Sequence, residues 1–191
     1  MSHVTTSAWP DHLIDLGDWE SLPADESHKV ECVEGVLVVT PKPLPQHQRT
    51  MVRLCTALEK ALSEEYEVLA DVEILLSRVP LTVRAPDVVA VDSVALRGNP
   101  PRLPGAAVRL AVEVLSEGSR RTDRVTKMSE YAEAGIGEYW IIDLASSAPT
   151  LSIYTLNSLG LYDRQGDHTG TVHVTACGTP VELDLEAISR I

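Results

Sequence analysis

The stretch that decides the fold runs from Val108 to Ser116, "VRLAVEVLS". Six of its nine residues are Val, Leu or Ala, so it reads as a strand buried on both sides. In its middle stands Glu113. A buried charge without a partner costs several kcal/mol on the order-of-magnitude scale. Glu113 therefore needs a cationic neighbour, a metal ion or an opening to solvent.

Reading outward, "SRRTDRVTKMSEYAEAG" (119–135) predicts a helix. Its buried stripe is Val125, Met128, Tyr131 and Ala132, and Gly135 is its C-cap. "EYWIID" (138–143) is a second short apolar strand. A strand–helix–strand order implies parallel pairing of the two strands. Upstream, "KVECVEGVLVVTP" (29–41) predicts a hairpin turning at Glu34-Gly35. "QHQRTMVRLCTALEKALSEE" (46–65) places Met51, Leu54, Cys55, Leu58, Ala61 and Leu62 at helical spacing. "YEVLADVEILL" (66–76) predicts one strand, and "APDVVAVD" (85–92) another opened by Pro86. From Thr150 onward the alternation predicts an antiparallel meander. The fold class is α/β (α+β), a mixed sheet with helices on its faces, an N-terminal hairpin and the C-terminal meander. Residues 1–27 read as an arm with a short helix around Asp11 to Leu16, and 28–191 as a single domain.

The 191 residues carry a formal net charge of −12, which argues against broad, non-specific affinity for nucleic acid but leaves room for a local basic site. Lysine occurs only at 29, 42, 60 and 127, against twelve arginines, so each lysine bears inspection. The three cysteines are widely spaced and form no CxxC or Cys/His cluster. That pattern fits a reduced, cytoplasmic protein without a structural zinc site. The N-terminus has no basic stretch followed by an apolar run, so no signal peptide is expected. No window approaches the roughly 20 apolar residues of a transmembrane helix.

The chemistry-bearing residues gather around Glu113. Asp87 opens the preceding apolar strand, and neighbouring strands can bring these two carboxylates together. Two close carboxylates repel unless a cation lies between them. Oxygen ligation of this kind suits Mg²⁺ or Mn²⁺, with the Val114 carbonyl as a further donor. The alternatives are a turn role for Asp87 and a structural salt bridge from Glu113 to Arg109 or Arg84. Asp123, Lys127 and Tyr131 are spaced i, i+4, i+8 and share one helix face. A lysine there can reach back to the carboxylates and act on a water or a phosphate, or remain on a solvated helix start. Arg120, Arg121 and Arg124 form the one dense basic patch, as expected for a phosphate-bearing substrate. Glu73 is a weaker candidate for the same site.

The run "RAPDVVAVD", followed by "LAVEVLSEGSRRTDRVTKMSEYAEAGIGEYWIID", closely resembles the Uma family of restriction endonucleases in the PD-(D/E)XK nuclease superfamily. "VECVEGVLVVTPKPLPQHQ" resembles the family's upstream motif, and the likeness spans about residues 28 to 165. It implies a restriction-endonuclease-like fold with a divalent metal on Asp87, Glu113 and the Val114 carbonyl. It also implies that Glu31 lines the site and that His47 contacts substrate or relays protons, the alternative for both being a turn contact near the helix start. The superfamily's Asp/Glu-x-Lys strand motif is Glu113-Val114-Leu115 here, so the lysine slot holds leucine. The resemblance implies that Lys127 takes that role. The activity it points to is metal-dependent hydrolysis of DNA by a homodimer with no membrane attachment. The alternatives are an inactive nuclease-like binding or regulatory module and, more weakly, a glycosidase using Asp87 and Glu113.

Overall fold

The computed structural model describes residues 10–25, 27–115, 122–145 and 148–190. After a short helix α1 (Leu16–Ser21), the chain forms hairpin β1 (His28–Val33) and β2 (Val36–Pro41), then helix α2 (Pro45–Ala61). Strands β3 (Tyr66–Ala70), β4 (Ile74–Arg78), β5 (Leu81–Arg84), β6 (Val88–Asp92) and β7 (Leu103–Pro104) precede the long β8 (Val108–Leu115). Helix α3 (Lys127–Glu133) leads to β9 (Glu138–Asp143), β10 (Thr150–Leu156), β11 (Tyr162–Thr169), β12 (Thr171–Ala176), β13 (Thr179–Asp184) and helix α4 (Leu185–Ser189).

The central sheet has the order β11-β10-β9-β8-β6-β3. Its β8–β9 pair is parallel, with Val112 opposite Trp140 and Glu113 opposite Ile141, as the crossover through α3 requires. The β6–β8 and β3–β6 pairs are antiparallel. The hairpin belongs to a second sheet of order β2-β1-β5-β4-β7. Its two-residue turn has Glu34 and Gly35 both at positive φ, the backbone that joins twisted strands most tightly. At Gly35 a Cβ would lie 3.0 Å from Leu13 Cβ, so the arm packs directly over the turn.

Alternation along β8 divides the interior in two. Val112 and Val114 join Leu54 and Leu58 of α2, Trp140, and Leu183 and Leu185 near the C-terminus. Ala111 and Leu115 join Val89, Tyr131, Tyr139 and Ile141 on the other face. Ile14 and Trp19 of the arm pack with Cys32, Leu81 and Val83 in a third cluster under the second sheet.

Three local expectations are corrected, and one strand appears that the residue pattern does not announce. The helix in the arm lies at Leu16–Ser21, because Asp15 caps it through Asp18 in a reciprocal pair of bonds. "YEVLADVEILL" is not one strand: Asp71 takes φ +52 and sends β3 and β4 into different sheets. "LTVR" is a fully buried strand, β5. The described part of the 119–135 segment opens with a wide π-helical turn over Thr122–Thr126 before α3 begins. That turn shifts the helical phase, so Val125 is 62% exposed, whereas Tyr131 and Ala132 are buried as the spacing predicts. Residues 119–121 lie outside the described residues. Gly135 ends the helix at φ +77.

Candidate active site

The register that makes the sheet also makes the site. Val88 pairs with Val112, so the residue before β6 stands beside Glu113 of β8. Asp87 is 4% exposed, Glu113 2% and Lys127 5%. All three line one cavity of about 480 Å³, together with Lys29, Glu31, His47, Arg84, Val114 and Asp123. Its outer wall is Val38, Pro41, Pro43 and Leu44 from the hairpin and the loop before α2.

Among the described residues Glu113 accepts two side-chain hydrogen bonds, both on Oε1. Lys127 Nζ donates to it at 2.8 Å and the Tyr131 hydroxyl at 2.7 Å. The salt bridge considered for Glu113 therefore goes elsewhere. Arg109 pairs with Asp92, and Arg84 reaches Glu31 (2.9 Å) and forks onto Glu130 (2.7 and 2.8 Å). Lys127 gathers three carboxylates. Asp123 Oδ1 lies 3.3 Å and Glu31 Oε1 3.6 Å from its Nζ. The π-helical turn sets this up, because it holds Asp123 and Lys127 on the cavity side while the chain enters α3. In the strand position, Leu115 is packed into the apolar cluster around Tyr139 and Ile141. The amino group thus reaches the acid from the helix.

Asp87 is held differently. Its Oδ2 accepts the Val114 N–H at 2.8 Å and faces His47 Nε2 at 3.1 Å, while its Oδ1 accepts from Lys29 Nζ at 3.1 Å. Lys29 also lies 3.4 Å from Asp71, whose own N–H donates to the Asp87 carbonyl at 3.2 Å. Glu31 accepts from the Ala85 N–H at 3.0 Å, which ties β1 to the turn that delivers Asp87.

These contacts pull the two acids in opposite directions. Burial works against the Asp87 charge, but His47, Lys29 and the Val114 N–H outweigh it and hold Asp87 well below the usual carboxylate range. Burial pushes Glu113 up to about 7, opposed by Lys127 and reinforced by the charges of Asp87 and Asp123. Lys127 is held cationic against its burial by Glu113, Glu31 and Asp123. Burial lowers the His47 basicity less than Asp87 raises it, so the imidazole gains affinity for a proton.

Among the described residues no cluster of three or more His, Cys, Asp or Glu side chains is arranged to hold an ion. The donor chemistry nonetheless fits a hard cation that keeps waters and takes few protein ligands, as Mg²⁺ does. Two carboxylates from adjacent strands face one cavity, and Glu113 Oε2 takes no part in the bonds to Lys127 and Tyr131. The repulsion that Asp87 exerts on Glu113 is what a divalent ion would relieve.

Arg124 donates to Asp143 at 3.1 Å and is not part of the cavity wall. Arg120 and Arg121 lie outside the described residues. Glu73 does not approach the site, because it accepts from the Trp19 indole at 3.1 Å and from Arg102 at 3.3 Å. Lys29 joins the site without being among the residues that the sequence singles out for it. Its signal is the i, i+2 spacing with Glu31, which puts both side chains on one face of β1.

The mixed sheet, its flanking helices and the hairpin that walls the acidic cavity define a restriction-endonuclease-like protein. The chain belongs to the Uma2 family: the family model described as "Putative restriction endonuclease" matches residues 16–186. The solved structures it is similar to include a "putative nuclease belonging to DUF820 from Anabaena variabilis", with a TM-score of 0.68 and 16% identity over 92% of this chain and 97% of that one. No curated protein matches the chain. No helix among the described residues is long and apolar enough to cross a membrane.

Proposed function

We propose that the protein is a metal-dependent nuclease that hydrolyses DNA phosphodiester bonds. The observation that carries this reading is the 2.8 Å contact of Lys127 Nζ with Glu113 Oε1, made beside Asp87 in one cavity. It restores an acid–acid–lysine set although Leu115 occupies the usual lysine slot of the strand. Asp87 and Glu113, with the Val114 carbonyl, would hold Mg²⁺ or Mn²⁺. Such an ion supplies charge stabilisation at the phosphoryl oxygens and lowers the pKa of a bound water. The chain's own residues do the rest. Lys127 holds Glu113 in place and presents a positive charge to the cavity. Tyr131 fixes the same carboxylate from the apolar side. His47 lines the cavity beside Asp87 and can hold a proton there. Val38, Pro41 and Leu44 give the cavity an apolar outer wall.

The test is cleavage of plasmid and linear DNA with Mg²⁺ or Mn²⁺, against Glu113→Ala and Lys127→Ala. Metal-dependent nicking lost in both variants supports the reading. An absence of cleavage with either metal on any DNA substrate, alongside retained DNA binding, supports the second reading, a nuclease-like binding module. That second reading is favoured by one observation: Asp87 already carries Lys29, His47 and a main-chain N–H.

A further inference from the structure

The geometry points to Lys29 as an internal counter-cation that a divalent ion must displace from Asp87, and that on release presents its ammonium to the substrate phosphate. This inference rests on the metal reading of the Asp87–Glu113 cavity. Three observations carry it. Lys29 Nζ sits on Asp87 Oδ1 at 3.1 Å, on the one carboxylate oxygen not already used by the Val114 N–H and His47. It therefore occupies the acceptor position that a metal would need. Its second partner, Asp71, is 3.4 Å away and more than half exposed, so the ammonium has a standing position at the cavity rim rather than one buried alternative. Finally, Lys29 lines the cavity itself, and its β1 neighbour two residues on, Glu31, is already engaged with Arg84 and the Ala85 N–H. A Lys29 released from Asp87 thus has Asp71 and the cavity before it, but no vacant buried acid on its own strand.

The physical consequence is a competition. In the metal-free protein the ammonium neutralises Asp87 and keeps the two carboxylates from meeting unscreened. A dication binds there only by breaking that charge-assisted hydrogen bond. The same exchange leaves a free ammonium within the cavity, where a phosphate is its natural partner. Lys29 would thereby weaken metal binding in isolation and strengthen it when substrate is present. That is positive coupling between metal and substrate.

The experiment is calorimetric titration of Mg²⁺ and Mn²⁺ into wild type, Lys29→Met, Lys29→Arg and Asp87→Ala, each checked for folding by circular dichroism. Lys29→Met should bind metal about tenfold more tightly than wild type, since one charge-assisted bond no longer opposes it. Lys29→Arg should stay close to wild type. In Lys29→Met, adding a short DNA oligonucleotide should no longer tighten the metal, whereas in wild type it should. The same exchange is readable in the wild-type protein without any variant. Acylation of Lys29 by a water-soluble active ester, followed by peptide mass spectrometry, should be faster with Mg²⁺ than without. Equal or weaker metal binding in folded Lys29→Met, or Lys29 acylation unchanged by metal, overturns the inference while leaving the metal site standing, provided Asp87→Ala abolishes binding. If wild type binds neither metal, the inference and the metal reading fall together.

Discussion

Along strand β8, Val112 and Val114 turn towards helix α2, while Ala111, Glu113 and Leu115 turn towards α3. Facing Val112 and Val114, the α2 side is packed with aliphatic residues and Trp140. The α3 side begins and ends the same way, with Ala111 and Leu115 in an apolar cluster, but between them stands a carboxylate with a lysine and a tyrosine on one oxygen. Both faces are fully buried. One is stabilised by area removed from water, and the other must first offset the desolvation of charges. A charged cluster that replaces ordinary core at one point of a sheet is weak evidence of stability and better evidence of chemistry.

That contrast can be broken in several ways. The largest effect is expected at Lys127→Ala. Cleavage rate per folded molecule should fall on the order of 10²- to 10⁴-fold, the range for a lost acid–base or charge-stabilising group. Stability should fall by about 3–5 kcal/mol, because Glu113, Glu31 and Asp123 are left without their shared cation. Urea unfolding and plasmid nicking check the two parts. Pairing it as Glu113→Gln/Lys127→Met should cost less stability than the two single changes added together, since the Glu113 charge is removed along with its cationic partner. On the opposite face, Leu54→Ala should cost about 2–5 kcal/mol by cavity formation yet leave the cleavage rate per folded molecule unchanged at low temperature. A rate lost with Leu54 would mean that the two faces are not separable.

A smaller effect concerns pH. Burial works against the Glu31 charge, but Lys127, Arg84 and the Ala85 N–H outweigh it and hold Glu31 below its ordinary value of 4.5. A depressed acid stabilises the folded state above the unfolded pKa and loses that contribution as pH falls through the folded one. Glu31→Gln should therefore lower stability at pH 7 by roughly 1–3 kcal/mol and flatten the loss that sets in as pH falls below the ordinary value of 4.5. Denaturant midpoints across that window check the slope. The smallest effect is expected at Leu115→Met, which keeps the volume of an apolar position. It should cost less than about 1.5 kcal/mol and leave activity intact.

Much of this arrangement is legible in the residue pattern alone. β8 and β9 announce themselves as runs too apolar for a half-exposed sheet, and the helical segment between them dictates their parallel pairing. The Glu34-Gly35 turn and the Leu54, Leu58 stripe follow from local periodicity. The Asp123, Lys127, Tyr131 spacing predicts a shared face, and all three do meet around Glu113. What the pattern hides is set by backbone geometry that leaves no periodic trace. The apolar alternation of 66–76 continues through Asp71, although its positive φ sends the chain into another sheet. The π-helical turn moves Val125 outward without changing the residue pattern. Lys29 shares a face of β1 with Glu31, but it reaches Asp87 through a β1–β5 pairing between segments about fifty residues apart, which the spacing alone does not place.

The central claim is that Asp87 and Glu113, on adjacent strands, form one divalent-cation site. Calorimetric titration of Mn²⁺ into the folded wild type, Asp87→Ala and Glu113→Gln tests it most directly. The account predicts a single site in wild type that is abolished in Asp87→Ala and weakened at least tenfold in Glu113→Gln, the loss of one charged ligand. Undiminished Mn²⁺ binding in folded Asp87→Ala would contradict it.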